Sequence, residues 1–477
     1  MIKLKDMENQ KINQNTLVEI LFYSFPLSFI IGNLFLNLHL LIFIVVSLFL
    51  IQKNKFQIRF DNSYWILIAF FLYFFLSTTI QFISPGLLNE KVQDWPFESQ
   101  PIFKSFIFIR FIILIFIIDT LFLNKILKIK KLFLFSLFCT TFVGLDVILQ
   151  YFTGSDIFGY ESKGIRNSGP FGDETIAGGY LQKFSFLSFF YILSTYKNKN
   201  FSTGLFIFVI AFHLTAILLA GNRMPMILTL FGCFLILILI KNLRLVMTLS
   251  LIVFLSVFAL LAKNDHEIEE SYVYFIKEVN IFNVIDVSKL LKKDKAKNIE
   301  VTHELEGQKT EWTEGVWKKN WQGVIFLDNS GYNRIFRTAY MIWKEQPLIG
   351  FGLKSFRIKC WEVGPKNRHL QPQSKISIFS CSNHPHNYYL EFLSETGLIG
   401  TILLIIFFII ILKNSFYTLK KYKQSNDEEI FFLIPIILVI ILEIWPLRST
   451  GSFFTTWNAT FFWLSVGILL SNKKKII

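Results

Sequence analysis

Long apolar runs recur from one end of the chain to the other, separated by short polar segments rich in Lys and Asn. Twelve runs have the length and uniformity expected of helices surrounded by hydrocarbon rather than half-exposed to water. They are Leu17–Gly32, Leu34–Ile51, Tyr64–Ile83, Ile102–Leu123, Leu132–Phe152, Ala177–Tyr196, Phe201–Ala220, Pro225–Ile240, Leu245–Leu261, Leu398–Leu412, Ile430–Leu447 and Trp457–Leu470. The pattern predicts an all-α integral membrane protein with about 12 transmembrane helices. The first pair also reads as one span plus a re-entrant piece.

The pattern breaks once. Residues 262–397 hold no spanning run, and amphipathic pieces such as Tyr332–Glu345 predict a folded, mostly helical domain between helices 9 and 10. The organisation is then 1–261 for helices 1–9, 262–397 for the large loop domain, and 398–477 for helices 10–12. Around residues 264–330 the stretch "KLLKKDKAKNIEVTHELEGQKTEWTEG" is charged and poor in apolar residues, as expected of a solvated insertion.

Charge orients these elements. With the N-terminus in the cytoplasm, the short inward segments hold 21 Lys and Arg, against five in the short outward loops: Lys91, Lys163, Arg166, Arg223 and Arg448. That asymmetry predicts both termini inside and the loop domain outside, in the periplasm of a bacterial inner membrane. The net charge of +14 therefore belongs to topology, and a nucleic-acid partner is not expected. Composition agrees: 53% of residues are hydrophobic and 17% charged, where a soluble domain carries about 25% charged. The polar first 16 residues, with no cleavage site before the second run, predict that no signal is removed.

Of four cysteines, Cys139 and Cys233 fall in spans, while Cys360 and Cys381 fall in the outer domain. In an oxidising compartment the outer pair would close a loop of about 20 residues, a bridge worth roughly 3 kcal/mol. Two free thiols are the alternative reading. No Cys/His set has zinc spacing.

Candidate chemistry gathers on the outside. In "HPHNYYLEFLSETGLIG", His384 and His386 stand at the mouth of span ten. Ser382 or Asn383 is expected to cap a helix with Pro385 in its first turn, which puts His386 in that turn too. The positive end of the helix dipole disfavours a second positive charge there, so a neutral imidazole fit to act as a base is expected. The plain alternative is that both rings cap the helix or sit at the lipid interface. In "LLAGNRMPMI", Arg223 opens span eight on the translocated side, either as a functional group or as a headgroup-binding, snorkelling side chain. In "GYNRIFRTAYMIWKEQPLIGFGLKSF", Arg334 and Arg337 recur at helical spacing before a Gly-rich turn. Guanidinium groups suit phosphate oxygens, while ion pairs with Glu345 or Asp328 are the structural alternative. Asp173 and Glu174, in an outer "GDET" turn, are further candidates. Among charges within spans (Arg110, Asp119, Asp146 and Glu443), Arg110 and Asp146 lie at comparable depth and could pair.

These pieces resemble the O-antigen ligase and O-antigen polymerase superfamily. His386-Asn387, nine residues, then Gly397 and Gly400 fit its His–polar–x9–Gly-x-x-Gly hallmark. "AGNRMPMI" is similar to the family's Arg turn, with Ile227 where Leu is usual. "RTAYMIWKEQPLIGFG" resembles its Arg helix and Pro-Leu-x-Gly-x-Gly turn, and "DVILQYFTGSDIFGY" and "GPFGDETIAGGYL" its fifth and sixth span region. The resemblance implies a membrane glycosyltransferase that takes a glycan from undecaprenyl diphosphate. It implies His386 as the base on the acceptor hydroxyl, Arg223 and Arg337 on the diphosphate, and no metal or other cofactor. Arg334, His384, Asn387 and Asp173 stand as helpers. The acceptor is lipid A–core in a ligase, or a second lipid-linked glycan in a polymerase. A lipid-linked oligosaccharide flippase would instead show inverted repeats and polar residues along several spans; no repeat is seen.

Overall fold

A computed structural model of the chain describes residues 14–60, 63–83, 100–195, 199–274, 303–305, 308–310, 331–367, 378–425, 427–449 and 451–471. Most of the charged insertion lies outside these residues. Its described parts are a helical stretch over His266–Ile268 and Glu269–Tyr274 and an antiparallel pair of strands, β1 (His303–Leu305) and β2 (Gln308–Thr310).

Every predicted apolar run is helical. The N-terminal pair α1 (Gln14–Tyr23) and α2 (Phe25–Ile31) is followed by α3 (Asn33–Asn54), α4 (Ser63–Ile83), α5 (Pro101–Phe108), α6 (Arg110–Leu123) and α7 (Ile129–Thr153). Then come α8 (Ala177–Thr195), α9 (Lys199–Leu219), α10 (Arg223–Leu239) and α11 (Arg244–Asn264). The loop domain contributes α12 (Gly331–Glu345) and α13 (Phe356–Lys366), before α14 (Tyr388–Ser425), α15 (Leu433–Glu443) and α16 (Thr456–Ser471). Six helices among the described residues are long and apolar enough to cross a membrane, seven if the bent pair α1–α2 is one span. Others, such as α15 with 11 residues, fall short of that length. The α1–α2 pair bends by 53°, with Pro26 in the first turn of α2. A bend of this size is that of a broken span or of a re-entrant piece, the alternative the sequence left open, and α3 beside it is a full-length helix.

Lipid tails are as apolar as leucine, so helices in a bilayer associate through close fit rather than water exclusion. Small residues make that fit here: Gly467 on α16 backs onto Ile118 of α6, and Gly144 on α7 faces Phe212 of α9. Aromatic rings fill the remaining volume, with Phe392 of α14 edge-on to Phe453 at 5.0 Å and Phe453 in turn against Trp463 at 5.9 Å. A second, smaller core of Ala339, Ile342, Phe351, Phe356, Val363 and Phe379 unites α12, α13 and the strand of chain leading to α14. Cys360 and Cys381 are joined by a disulfide across this core, with Cα atoms 5.1 Å apart.

Charged groups in the bundle are hydrogen-bonded, though not to the partners that depth suggested. Arg110 donates to Thr456 Oγ1 at 2.9 Å, and Asp146 accepts the Ile157 amide at 2.9 Å, so the expected Arg110–Asp146 pair does not form. Equal depth says nothing about which way two helices face. Asp119 pairs with Arg59 at 2.8 Å and accepts from Tyr64 at 2.9 Å.

Candidate active site

The His386 segment begins where the helix does not. α14 starts at Tyr388, and its cap is Asn387, whose Oδ1 accepts from the amides of Tyr389 at 3.0 Å and Leu390 at 3.2 Å. Neither Ser382 nor Asn383 caps it, and His386 is not in its first turn. Pro385 stops short of the helix, and His386 follows with φ +58°, a left-handed conformation that non-glycine residues seldom adopt. Such outliers concentrate where surrounding structure holds a side chain in a set place. Here the surroundings are visible. His386 Nε2 shares a hydrogen bond with Ser382 Oγ at 3.2 Å. The His384 ring lies 4.2 Å away between centroids, and Tyr332 meets His386 edge-on at 5.4 Å. The Asn387 amide donates to Pro446 O at 2.8 Å and to Arg448 O at 3.4 Å, tying the turn to the segment before α16.

Tyr332 opens α12, so the arginine helix starts against the His386 ring. Arg337, one and a half turns on, is buried; Arg334 is half-buried. Thr338 anchors the helix by accepting the Ser380 amide at 3.1 Å. The Glu345 carboxylate pairs with Lys366 at 3.3 Å, while Asp328 lies outside the described residues.

Two glycine motifs form one joint. α14 kinks at Gly397, φ +64°, and the turn after α12 has Gly350 at φ +66° and Gly352 at φ +84°. The backbones zip together: Leu398 N donates to Pro347 O at 2.8 Å, Ile399 N to Leu348 O at 3.2 Å, Phe351 N to Ser394 O at 3.2 Å and Gly352 N to Glu395 O at 2.8 Å. A Cβ on Gly397 would lie 2.5 Å from Gly350 N, so the approach requires glycine. α4 seals the joint, with Tyr73 donating to Thr396 O at 2.9 Å. The joint fixes the angle between the first part of α14, which follows directly on the His386 turn, and the long apolar part.

Arg223 stands exposed at the first position of α10, after the Asn222 cap position and Gly221 at φ +71°. The loop of residues 154–176 packs over this turn: Asn167 donates to Leu219 O at 2.6 Å, and Asn222 to Thr175 O at 3.2 Å. Burial pushes the Tyr272 phenol above its ordinary pKa, and the charge of Arg223 opposes that shift. Asp173, in the same loop, is exposed and pairs with Lys163 at 2.8 Å. Ring contacts and the Ser382 hydrogen bond bring His384, His386, Asn387 and α12 together; Arg223 and Asp173 belong to the cluster formed by the 154–176 loop and the start of α10.

Sequence reasoning missed a buried ionic triad beneath Asn387. Lys183 of α8 pairs with Glu443 of α15, and Arg448 pairs with the other Glu443 oxygen at 2.8 Å. Burial works against the Arg448 charge, but Glu443 and Tyr388 hold the guanidinium above its ordinary pKa. Lys183 escaped notice because it sits alone in "GGYLQKFSFLSFF", where hydropathy averages hide one cation. Also missed were Glu391 and Glu395, buried on one face of α14; they accept the amides of Phe453 at 2.8 Å and Lys354 at 2.9 Å. Among the described residues, no group of three or more His, Cys, Asp or Glu is placed to hold a metal ion.

Residues 206–405 match the family model described as O-antigen ligase, a range that contains Arg223, Arg337, His386 and both glycine motifs. No curated protein matches the chain.

Proposed function

We propose that this multi-pass membrane protein is a ligase: residues 206–405 match the family model described as O-antigen ligase, which supports the O-antigen ligase superfamily and a ligase- or polymerase-type activity. It moves a glycan from undecaprenyl diphosphate to a lipid A–core hydroxyl at the periplasmic face of the inner membrane. The observation that carries this reading is the clamped His386 turn, pressed against the first residue pair of the Arg337 helix. The Cys360–Cys381 bridge supports an oxidising location for the outer domain.

In the reaction, the acceptor oxygen forms a bond to the anomeric carbon while the bond from that carbon to the diphosphate oxygen breaks. His386 takes the acceptor's proton, and undecaprenyl diphosphate leaves with the electron pair. Negative charge grows on the diphosphate as it departs, so Arg337 and Arg223 act where stabilisation lowers the barrier. A ring held in a strained backbone turn, cross-bonded to Ser382, loses little orientation entropy on the way to the transition state. Positioned bases of this kind contribute roughly 10²–10⁴-fold.

Complementation tests the reading. In a ligase-null strain the parent chain restores long-chain lipopolysaccharide, and His386→Ala, Arg223→Ala and Arg337→Ala variants do not, despite normal abundance. Restored chain length in a polymerase-null strain, without capping of the core, would replace the ligase with a polymerase.

A further inference from the structure

The triad beneath the site forms part of a continuous line of contacts between the two motif turns. At one end, the start of α8 abuts the Arg223 turn: a Cβ on Gly178 would lie 2.9 Å from Asn222 Oδ1, the residue before Arg223. Five residues along α8, about 7.5 Å of rise, comes Lys183, fully buried. Its ammonium lies 4.7 Å from the Phe461 ring centre and 5.2 Å from that of Trp457, and it donates to Glu443 Oε1. Glu443 holds Arg448, whose guanidinium lies over Tyr388 at 5.5 Å, and the Arg448 carbonyl accepts from Asn387. Asn387 is the residue after His386.

Stability alone does not call for Lys183. The Glu443–Arg448 pair is already neutral, and Lys183 adds a second buried cation against one carboxylate. Apolar packing also joins these parts, with Phe231 of α10 against Trp445 at 4.5 Å. That contact is a tilted ring pair, held by close fit alone. An ion pair with aromatic walls fixes one register. The structure assigns Lys183 as a positioning residue that holds the His386 turn in register with the Arg223 turn. It touches no reacting atom; it sets the distance between the base and the diphosphate site. The role in catalysis rests on the transferase reading above, whereas the register itself does not.

The test uses the purified full chain in lipid nanodiscs, spin-labelled at Ile227→Cys on α10 and Leu447→Cys beside Arg448, two exposed positions outside the proposed machinery. Electron–electron distance measurement reads the register without any substrate. The parent gives one narrow distance. Lys183→Met, which leaves the Glu443–Arg448 pair intact, gives a broadened or displaced distance with the melting temperature nearly unchanged; Lys183→Gln serves if the Met variant fails to accumulate. Glycan transfer then falls at least about tenfold in kcat with donor KM within ~twofold. An unchanged distance distribution overturns the proposal, whatever the activity. A changed distance with parental kcat overturns the catalytic role. A changed distance in a protein whose parent transfers no glycan leaves the register standing and removes the transferase reading instead.

Discussion

Gly397→Ala tests how the two glycine motifs work together. The substitution puts a methyl group against Leu348 O and 2.5 Å from Gly350 N, with φ at +64°. Neither neighbour is a flexible side chain that can swing away. Holding alanine in the left-handed region costs roughly 1–2 kcal/mol. Relieving the clash means parting backbones joined by the Leu398–Pro347, Ile399–Leu348, Phe351–Ser394 and Gly352–Glu395 hydrogen bonds, each worth about 1 kcal/mol net. The expected loss is about 3–5 kcal/mol, concentrated around α12 and α13. Melting of the purified protein in detergent should fall by roughly 5–10 °C. Limited proteolysis should open new cuts near residues 345–356. Gly204→Ala is the control: it lies in α9 with nothing within 4 Å of the added Cβ, so its melting should match or slightly exceed the parent. Parental melting and proteolysis for Gly397→Ala would refute the joint.

Other perturbations probe other parts. Glu443→Gln leaves Lys183 and Arg448 buried without their carboxylate, so a loss of about 3–5 kcal/mol and poor accumulation are expected, read by fluorescence-detected size exclusion. Asn387→Ala removes the α14 cap and the tie to Pro446, costing roughly 1–2 kcal/mol, while Asn387→Asp keeps the cap; comparing their melting temperatures checks the assignment. Cys360→Ser should cost the core around α12 and α13 about 2–4 kcal/mol and abolish the mobility difference between reduced and unreduced protein on a gel. Burial, with Arg357 nearby, holds the Lys354 ammonium below its ordinary pKa. The unfolded chain therefore binds more protons between the folded and unfolded values, so stability rises with pH through that window; Lys354→Met should flatten the slope in melts taken from pH 7 to 10.

How far the sequence could be read depended on range. Uniform apolar runs announced the helices because burial in hydrocarbon leaves a mark on every residue of a segment, and Tyr332–Glu345 carried its amphipathic period openly. The disulfide partners were named because only two cysteines shared the outer domain. The helix start was misplaced by one cap: Ser382, Asn383 and Asn387 all suit the position, and only the left-handed turn at His386 decides among them. The glycine motifs were legible separately, but nothing local says that Gly350 and Gly397 touch across 47 residues of chain. Pairing of buried charge was least legible, since it depends on helix rotation. Arg110 finds Thr456 rather than Asp146, and Glu443 finds a lysine hidden in a phenylalanine-rich run.

The proposed role of His386 is to remove the acceptor's proton in a transfer that releases undecaprenyl diphosphate. The direct measurement is turnover by the purified full chain in proteoliposomes, with an undecaprenyl-diphosphate glycan as donor and lipid A–core as acceptor. One carrier diphosphate should appear per glycan moved. His386→Ala should lower kcat by roughly 10²–10⁴-fold with donor binding retained. Parental turnover by His386→Ala, with equal folded protein, would contradict the account.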